Sequence, residues 1–395
     1  MVDERADGQR RFLTVEQWDY VKNLFSHLKI APPNKVESAV DIWKIVYKTC
    51  EAIGSVKVGE QYLFKMRQRE DSSEESRLIC KAMEHMLELV ETKQDILCQR
   101  GSKYTENDYL RIVWSPILER IFSSPLRLIS GESIFKYTTK QKQQLYDESN
   151  DVKGFKIDIR YVVDKNGKTY DLGAAELGKD GASCKIIQDE GKLTREGKDV
   201  VDSLLKTLHE SNHRHVLSWI IQIDACEAEI STLHIVGNGV YVAYPQFKFE
   251  LPTTLDNLSK FEQALQAFLT IKEHMMMIQS RLSTEQQREG VISQTFNRSN
   301  QVKSDDISTW TRATWYTPPK PSKSRVPVPL FGQKSKFNFA ERLLVARNQD
   351  LIESEEEKEN VDMFGWTKRN GKFYNIHTQK YADEHPLDKE SQVIL

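Results

Sequence analysis

A change of hydrophobic period near residue 153 constrains this chain more than any other feature. Upstream of it, apolar residues recur at helical spacing: Trp18, Val21, Leu24, Phe25 and Leu28; Val40, Trp43, Val46 and Tyr47; Ile79, Met83, Met86, Leu87 and Val90. From Lys156 to Val163 the pattern alternates instead, and a second alternating run covers Thr169 to Leu177. Asn166-Gly167 lies between them, and that dipeptide predicts a hairpin because both residues accept the positive φ of a tight turn. The helical period then returns over Gln188 to Leu208, with Leu193, Val200, Val201, Leu204, Leu205 and Leu208 as its apolar stripe. Strands followed by a helix and further strands imply a mixed α/β core.

The remaining elements follow from the same patterns. A charged stretch, Gln68 to Arg77, reads as a solvated connection, and Thr105-Glu-Asn-Asp opens a helix over Tyr109 to Phe122 with Asn107 or Asp108 as N-cap. Two more strands are expected over His215 to Cys226 and Gly239 to Leu251, the second after a Gly237-Asn-Gly turn, and a long helix over Leu255 to Leu282. The expected organisation is a helical region over 1–104 and an α/β core over 105–285, a mixed sheet of about four or more strands flanked by helices. Beyond these come a disordered Pro-rich linker with an acidic end over 286–362 and a small β-hairpin over 363–390. The linker is basic: residues 303–346 hold eight Lys/Arg against three Asp/Glu.

Composition narrows the class. Of the 395 residues, 39% are hydrophobic and 29% charged, which suits a globular protein with polar tails. No apolar run approaches the roughly 18 residues of a membrane span, so no membrane association is expected. The charged start, Met1-Val-Asp-Glu-Arg, lacks the apolar core of a signal peptide. The five cysteines show no C-x-x-C spacing, which fits free thiols and an intracellular location, cytoplasmic or nuclear. A formal net charge of −2 supplies no global attraction to nucleic acid, so such binding needs a local basic surface.

The candidate chemistry sits in the alternating runs. Lys156, Asp158 and Arg160 share one face of the first run, and Glu176 sits on a face of the second with Leu172, Ala174 and Gly178. The hairpin sets Asp158 beside Glu176, and two carboxylates that close repel unless a proton or cation lies between them. Mg²⁺ held by one or two carboxylates plus water is one solution. Another is structural: Lys156, Asp158 and Arg160 as the charged solvent face of an edge strand, with Glu176 paired to Arg160.

At these residues the chain resembles the PD-(D/E)XK nuclease superfamily, and its overall pattern is similar to the divergent fungal and Crinkler-type proteins that carry such domains. The likeness spans about residues 105–282. It implies an Asp on the second core strand, a Glu-x-Lys on the third and a helix behind them, acting on DNA or RNA with Mg²⁺ at Asp158 and Glu176. The preceding helix often supplies another carboxylate, and Glu119 is the matching position. The family's lysine falls on Gly178, so the role passes either to Lys179, through a bulge at Gly178, or to Lys192 in the next helix. The alternative is a nuclease fold without catalysis, serving as an interaction module.

Weaker signals surround this core. Gln222, within an apolar strand, reads as a hydrogen-bonded core group or a cleft contact. His209, His213 and His215 read as helix-end cations rather than zinc ligands, and Met275-Met-Met-Ile reads as a packing surface. Trp310 and Trp315 with Arg312 and Lys320 could stack on single-stranded bases. The proline cluster is a candidate protein ligand. Gly365-Trp366, Gly371-Lys-Phe-Tyr-Asn, His377 and Pro386 resemble a WW module, which implies a protein partner, with a plain hairpin as the alternative.

Overall fold

The protein, seen in a computed structural model, is described over residues 13–98, 103–145, 153–179, 183–208, 216–237, 239–294, 310–313, 361–369 and 371–386. The helical period of the N-terminal third forms α1 (Val15–Phe25), α2 (Asn34–Ile53), α3 (Val56–Gln68), α4 (Glu74–Thr92) and the short α5 (Gln94–Cys98). Their ends follow local chemistry. Thr14 and Gln17 close a capping box on α1, the Ser73 hydroxyl caps α4, and Gly54 ends α2 at φ 75°.

The single helix expected over Tyr109 to Phe122 is replaced by α6 (Glu106–Asp108), a π-helix (Tyr109–Trp114) and α7 (Ser115–Ile121). The N-cap is Thr105, whose hydroxyl accepts from Asp108 N–H, and not Asn107 or Asp108. Pro116 explains the π turn. It has no N–H for the Ile112 carbonyl, and Ser115 N–H reaches back to Leu110 instead. His85 on α4 donates Nε2–H to the Ile112 carbonyl at 3.0 Å, the carbonyl that Pro116 cannot serve.

The chain then builds β1 (Leu126–Ile134), α8 (Lys136–Leu145), β2 (Lys156–Lys165), β3 (Lys168–Gly178), α9 (Ser183–Leu208), β4 (Leu217–Asp224), β5 (Glu227–Gly237) and β6 (Val240–Glu250). A 3-10 turn (Leu255–Lys260) leads into α10 (Phe261–Gln294). The six strands lie in sequence order, with β3 and β4 parallel and every other neighbour antiparallel. The hairpin turn is as predicted, with Asn166 at φ 49° and Gly167 at φ 74°. Two strands escape the sequence pattern. Gly131 and Glu132 take positive φ and break the alternation of β1, and the turn before β5 puts Ala225 at φ 52° without any turn-marking residue.

One sheet face carries Ile159, Tyr161, Leu177, Trp219, Ile221 and Ile230 into a core shared with Trp43, Met83, Leu87, Trp114, Ile117 and Phe268. The N-terminal helices, α7 and α10 therefore cover that face together. Two indole N–H groups tie the layers, Trp43 to the Leu258 carbonyl and Trp114 to the Ala225 carbonyl. Met275 and Ile278 are buried in the same core, as a packing role requires.

The opposite face is covered by α9, and here charge is buried. The stripe predicted for α9 is inside, but so are Glu196, Lys198, Asp199 and Asp202. Arg160 binds Asp171 through two parallel bonds of 2.6 and 2.8 Å and also donates to the Ile134 carbonyl. Thr138 on α8 donates to Glu196, and Tyr241 donates to Asp202. These contacts overturn the edge-strand reading: β2 lies between β1 and β3, Arg160 is 8% exposed, and its partner is Asp171 rather than Glu176.

The C-terminal segment is a three-stranded antiparallel sheet: β7 (Trp366–Arg369), β8 (Lys372–Asn375) and β9 (Lys380–Ala382). Buried Asn375 organises it, accepting from His377 and Thr378 N–H and donating to the Phe364 carbonyl. It packs on the N-terminal helices through Phe364 against Tyr62, Lys380 to Asp41 and Arg69 to the Pro386 carbonyl. His209, His213, His215, Trp315, Lys320 and the proline cluster lie outside the described residues. Among the described residues no helix is long and apolar enough to cross a membrane.

The buried Arg160–Asp171 pair makes a direct prediction. Removing one partner strands the other charge out of water, so Arg160→Met lowers unfolding free energy by about 3–5 kcal/mol in urea denaturation. The double variant R160M/D171L loses less than R160M alone. A loss in the double variant equal to the sum of the losses of R160M and D171L measured singly would show that the two side chains are not coupled.

Candidate active site

Strands β2 and β3 part at the end where Asp158 and Glu176 sit. Their backbone register ends at Ile159 opposite Ala175. Beyond it the Asp158 side chain takes over, its Oδ2 accepting from Leu177 N–H at 2.9 Å. That bond fixes the carboxylate beside the third strand without help from a cation. Glu176 lies one residue before Leu177, is 3% exposed and faces α9. The alternation of the two runs thus brings the pair together as the sequence predicts.

The cation comes from α9. Lys192 Nζ lies 2.6 Å from Glu176 Oε1, and the lysine side chain keeps 23% exposure, so it bridges buried carboxylate and solvent. Burial pushes the Glu176 carboxyl up to about 8, the Asp158 charge adds to the rise, Lys192 opposes it and Asp189 adds further. A carboxyl in that range is mostly protonated at neutral pH, held between two like charges and one opposite charge.

The two other expected residues are not brought to the pair. The β3–β4 register runs without a shift through Leu177–Ile223 and Gly178–Asp224, so the bulge needed to turn Lys179 inward does not form. Among the described residues Lys179 makes no ion pair with Glu176. Gly178 has a different use: a β-carbon there would come within 3.2 Å of Asp224 Oδ1, so glycine makes room for the β4 carboxylate. Glu119 is exposed on α7, whose Ile117, Leu118 and Ile121 pack on the sheet face opposite α9, and its charge is not among those acting on Glu176.

Gln222, which the sequence leaves open between a core group and a cleft contact, stands in register beside Glu176 on β4, half-buried, and with Glu190, Leu193 and Ser231 it lines a small recess of about 30 Å³ under α9. Sequence reasoning missed its neighbour. Asp224 follows two residues on, beside Gly178. Only the parallel pairing of β3 with β4 places either one, and no local pattern encodes that pairing. Among the described residues no group of three or more His, Cys, Asp or Glu side chains converges to hold a metal. Two neighbouring carboxylates, Asp158 partly exposed and Glu176 buried, still meet the minimal donor set of Mg²⁺, which keeps several of its waters. The raised Glu176 carboxyl beside Asp158 is the local charge excess that a cation relieves.

The raised carboxyl sets a pH test. Its folded value lies above the ordinary carboxylate range, so the stabilisation is complete below about pH 4 and is lost as pH rises through about 8. Glu176→Gln removes the titration. Compared by urea denaturation, the variant should gain on the wild type by up to about 1.4 kcal/mol per pH unit between about pH 5 and 8, then level off. A difference that stays flat across that window would mean Glu176 ionises normally.

No protein-family model, no curated protein and no solved structure matches this chain.

Proposed function

We propose that this chain is a metal-dependent phosphodiesterase of the endonuclease kind, acting on DNA or RNA at the Asp158–Glu176–Lys192 centre. The observation that carries this reading is the 2.6 Å contact between Lys192 and Glu176 beside Asp158. It supplies the two carboxylates and one lysine that the resemblance requires, with the lysine arriving from α9 rather than from position 178. The order α7, β1, α8, β2, β3, α9, β4, with β4 parallel to β3, is consistent with the same reading.

Asp158 and Glu176 are the residues that would hold Mg²⁺. When bound there, the ion supplies a Lewis acid that offsets charge on a phosphate and acidifies a water. Glu176 must lose its proton to serve, so its raised carboxyl makes cation binding release a proton below about pH 8. Asp158 is held in place by Leu177 N–H and needs no rearrangement. Lys192, which reaches solvent from its contact with Glu176, would hold a phosphate oxygen or a water at the solvent side. Lys179 and Glu119 have no part in this arrangement.

A second reading, a nuclease fold kept only as an interaction module, is favoured by the same ion pair, because Lys192 already compensates Glu176 without any metal. Cleavage assays separate the two. Single- and double-stranded DNA and RNA are incubated with Mg²⁺ and wild type, Asp158→Asn, Glu176→Gln, Lys192→Met or Lys179→Met. The expected result is Mg²⁺-dependent cleavage that falls at least about 100-fold in the first three variants and is unchanged in K179M. Absence of both cleavage and calorimetric Mg²⁺ binding in the wild type would establish the second reading.

A further inference from the structure

A second polar site lies on the other side of the sheet. Asn107, Arg111, Ser115, Glu119, Arg120 and Ser130 line an open surface cleft of about 540 Å³, within the size range of small-ligand sites. Its long wall has a simple origin. Asn107, Arg111, Ser115 and Glu119 recur every four residues along α6, the π-helix and α7. In an uninterrupted α-helix such a row drifts around the axis, because each turn takes 3.6 residues. The wider π turn drifts the opposite way, so the interruption at Pro116 keeps these polar side chains in one straight stripe. The fold maintains that interruption by having His85 satisfy the Ile112 carbonyl.

The stripe faces β1 through Ser130, which pairs with Ile159, the residue after Asp158. Its charge is available to a ligand. Among the described residues the ion pair of Arg111 is with Asp108 at 3.8 Å, and the arginine side chain is 69% exposed. Arg120 donates to the Pro116 carbonyl and makes no ion pair among the described residues. Arg127, by contrast, is clamped by both oxygens of Asp164. Two weakly engaged guanidinium groups with serine hydroxyls and an amide form a donor set suited to phosphoryl oxygens. Glu119, exposed in the same cleft, can only accept, which suits sugar hydroxyls.

We propose that this cleft binds a nucleotide unit, its phosphate on Arg111 and Arg120 and its ribose hydroxyls on Glu119. The unit is either free or part of a single strand. Binding here requires no chemistry at Asp158 and Glu176, so it is measured in EDTA, where failure of cleavage has no bearing on the outcome.

The probes are fluorescein-labelled single-stranded RNA and DNA of the same sequence, followed by anisotropy, with adenosine monophosphate as competitor. The expected result is that Arg111→Glu weakens strand binding at least about tenfold. The double variant R111Q/R120Q should reduce the salt slope by about 1.4, two phosphate contacts at ~0.7 each. The turn variant K165E/K168E, outside the cleft, should leave affinity within about twofold. RNA should be preferred over DNA, with the preference lost in Glu119→Gln. Displacement of the strand by adenosine monophosphate at about millimolar concentration assigns the site to free nucleotide, and its failure to displace assigns the site to the strand. If R111E folds with an unchanged urea midpoint and binds as the wild type does, or if the wild type binds no probe, the cleft is not a nucleotide site. Equal affinity of the wild type for RNA and DNA removes Glu119 from it.

Discussion

Burial of charge between α9 and the sheet is the constraint on which the rest of this structure depends. Arg160, Asp171, Glu176, Glu196, Lys198, Asp199 and Asp202 are all at most 8% exposed. An isolated charge in such a place costs several kcal/mol, so each position dictates a partner and, through it, the placement of an element. Arg160 and Asp171 lock β2 to β3, Thr138 on α8 is held to Glu196, and Tyr241 on β6 is held to Asp202. Where the pairing is incomplete, the proton compensates: burial and the Asp199 charge push the Glu196 carboxyl up to about 8, the value Glu176 also reaches.

The candidate active site is the solvent end of this buried layer. Deep in the layer, Arg160 and Asp171 satisfy each other with two bonds and leave nothing for chemistry. At the rim, Glu176 pairs with one lysine beside Asp158, and that lysine still reaches water. The difference is a matter of charge count. Two carboxylates with one cation form a site with unmet demand for positive charge, while one carboxylate with one guanidinium does not. A structural pair and a candidate reactive centre therefore stand two residues apart on the same strand.

The polar cleft on the opposite face has a different physical basis. It exists because Pro116 removes a helix hydrogen bond and His85 replaces it, so a backbone irregularity rather than buried charge sets its shape. Burial pulls the His85 imidazole below its ordinary value, which keeps the ring neutral and able to serve the carbonyl. The two sites meet only through β1, the edge strand that separates them.

The amino-acid sequence by itself determined what local chemistry can encode: the hairpin at Asn166-Gly167, the helical N-terminal third, the stripe of α9, and the placing of Asp158 beside Glu176. Each is a matter of period or of one turn, and each survives in the folded chain. It could not distinguish Lys179 from Lys192, because that choice depends on whether β3 bulges at Gly178, and the parallel pairing with β4 keeps it regular. It did not reveal β5, since the turn before it uses Ala225 in place of a marker residue, nor the buried charges of α9, which lie outside the apolar stripe that the period marks. Tertiary structure alone decided which lysine meets Glu176, which arginine meets Asp171 and which face carries Glu119. Those pairings join residues from different elements, where the cost of burying charge selects the partner and sequence spacing does not.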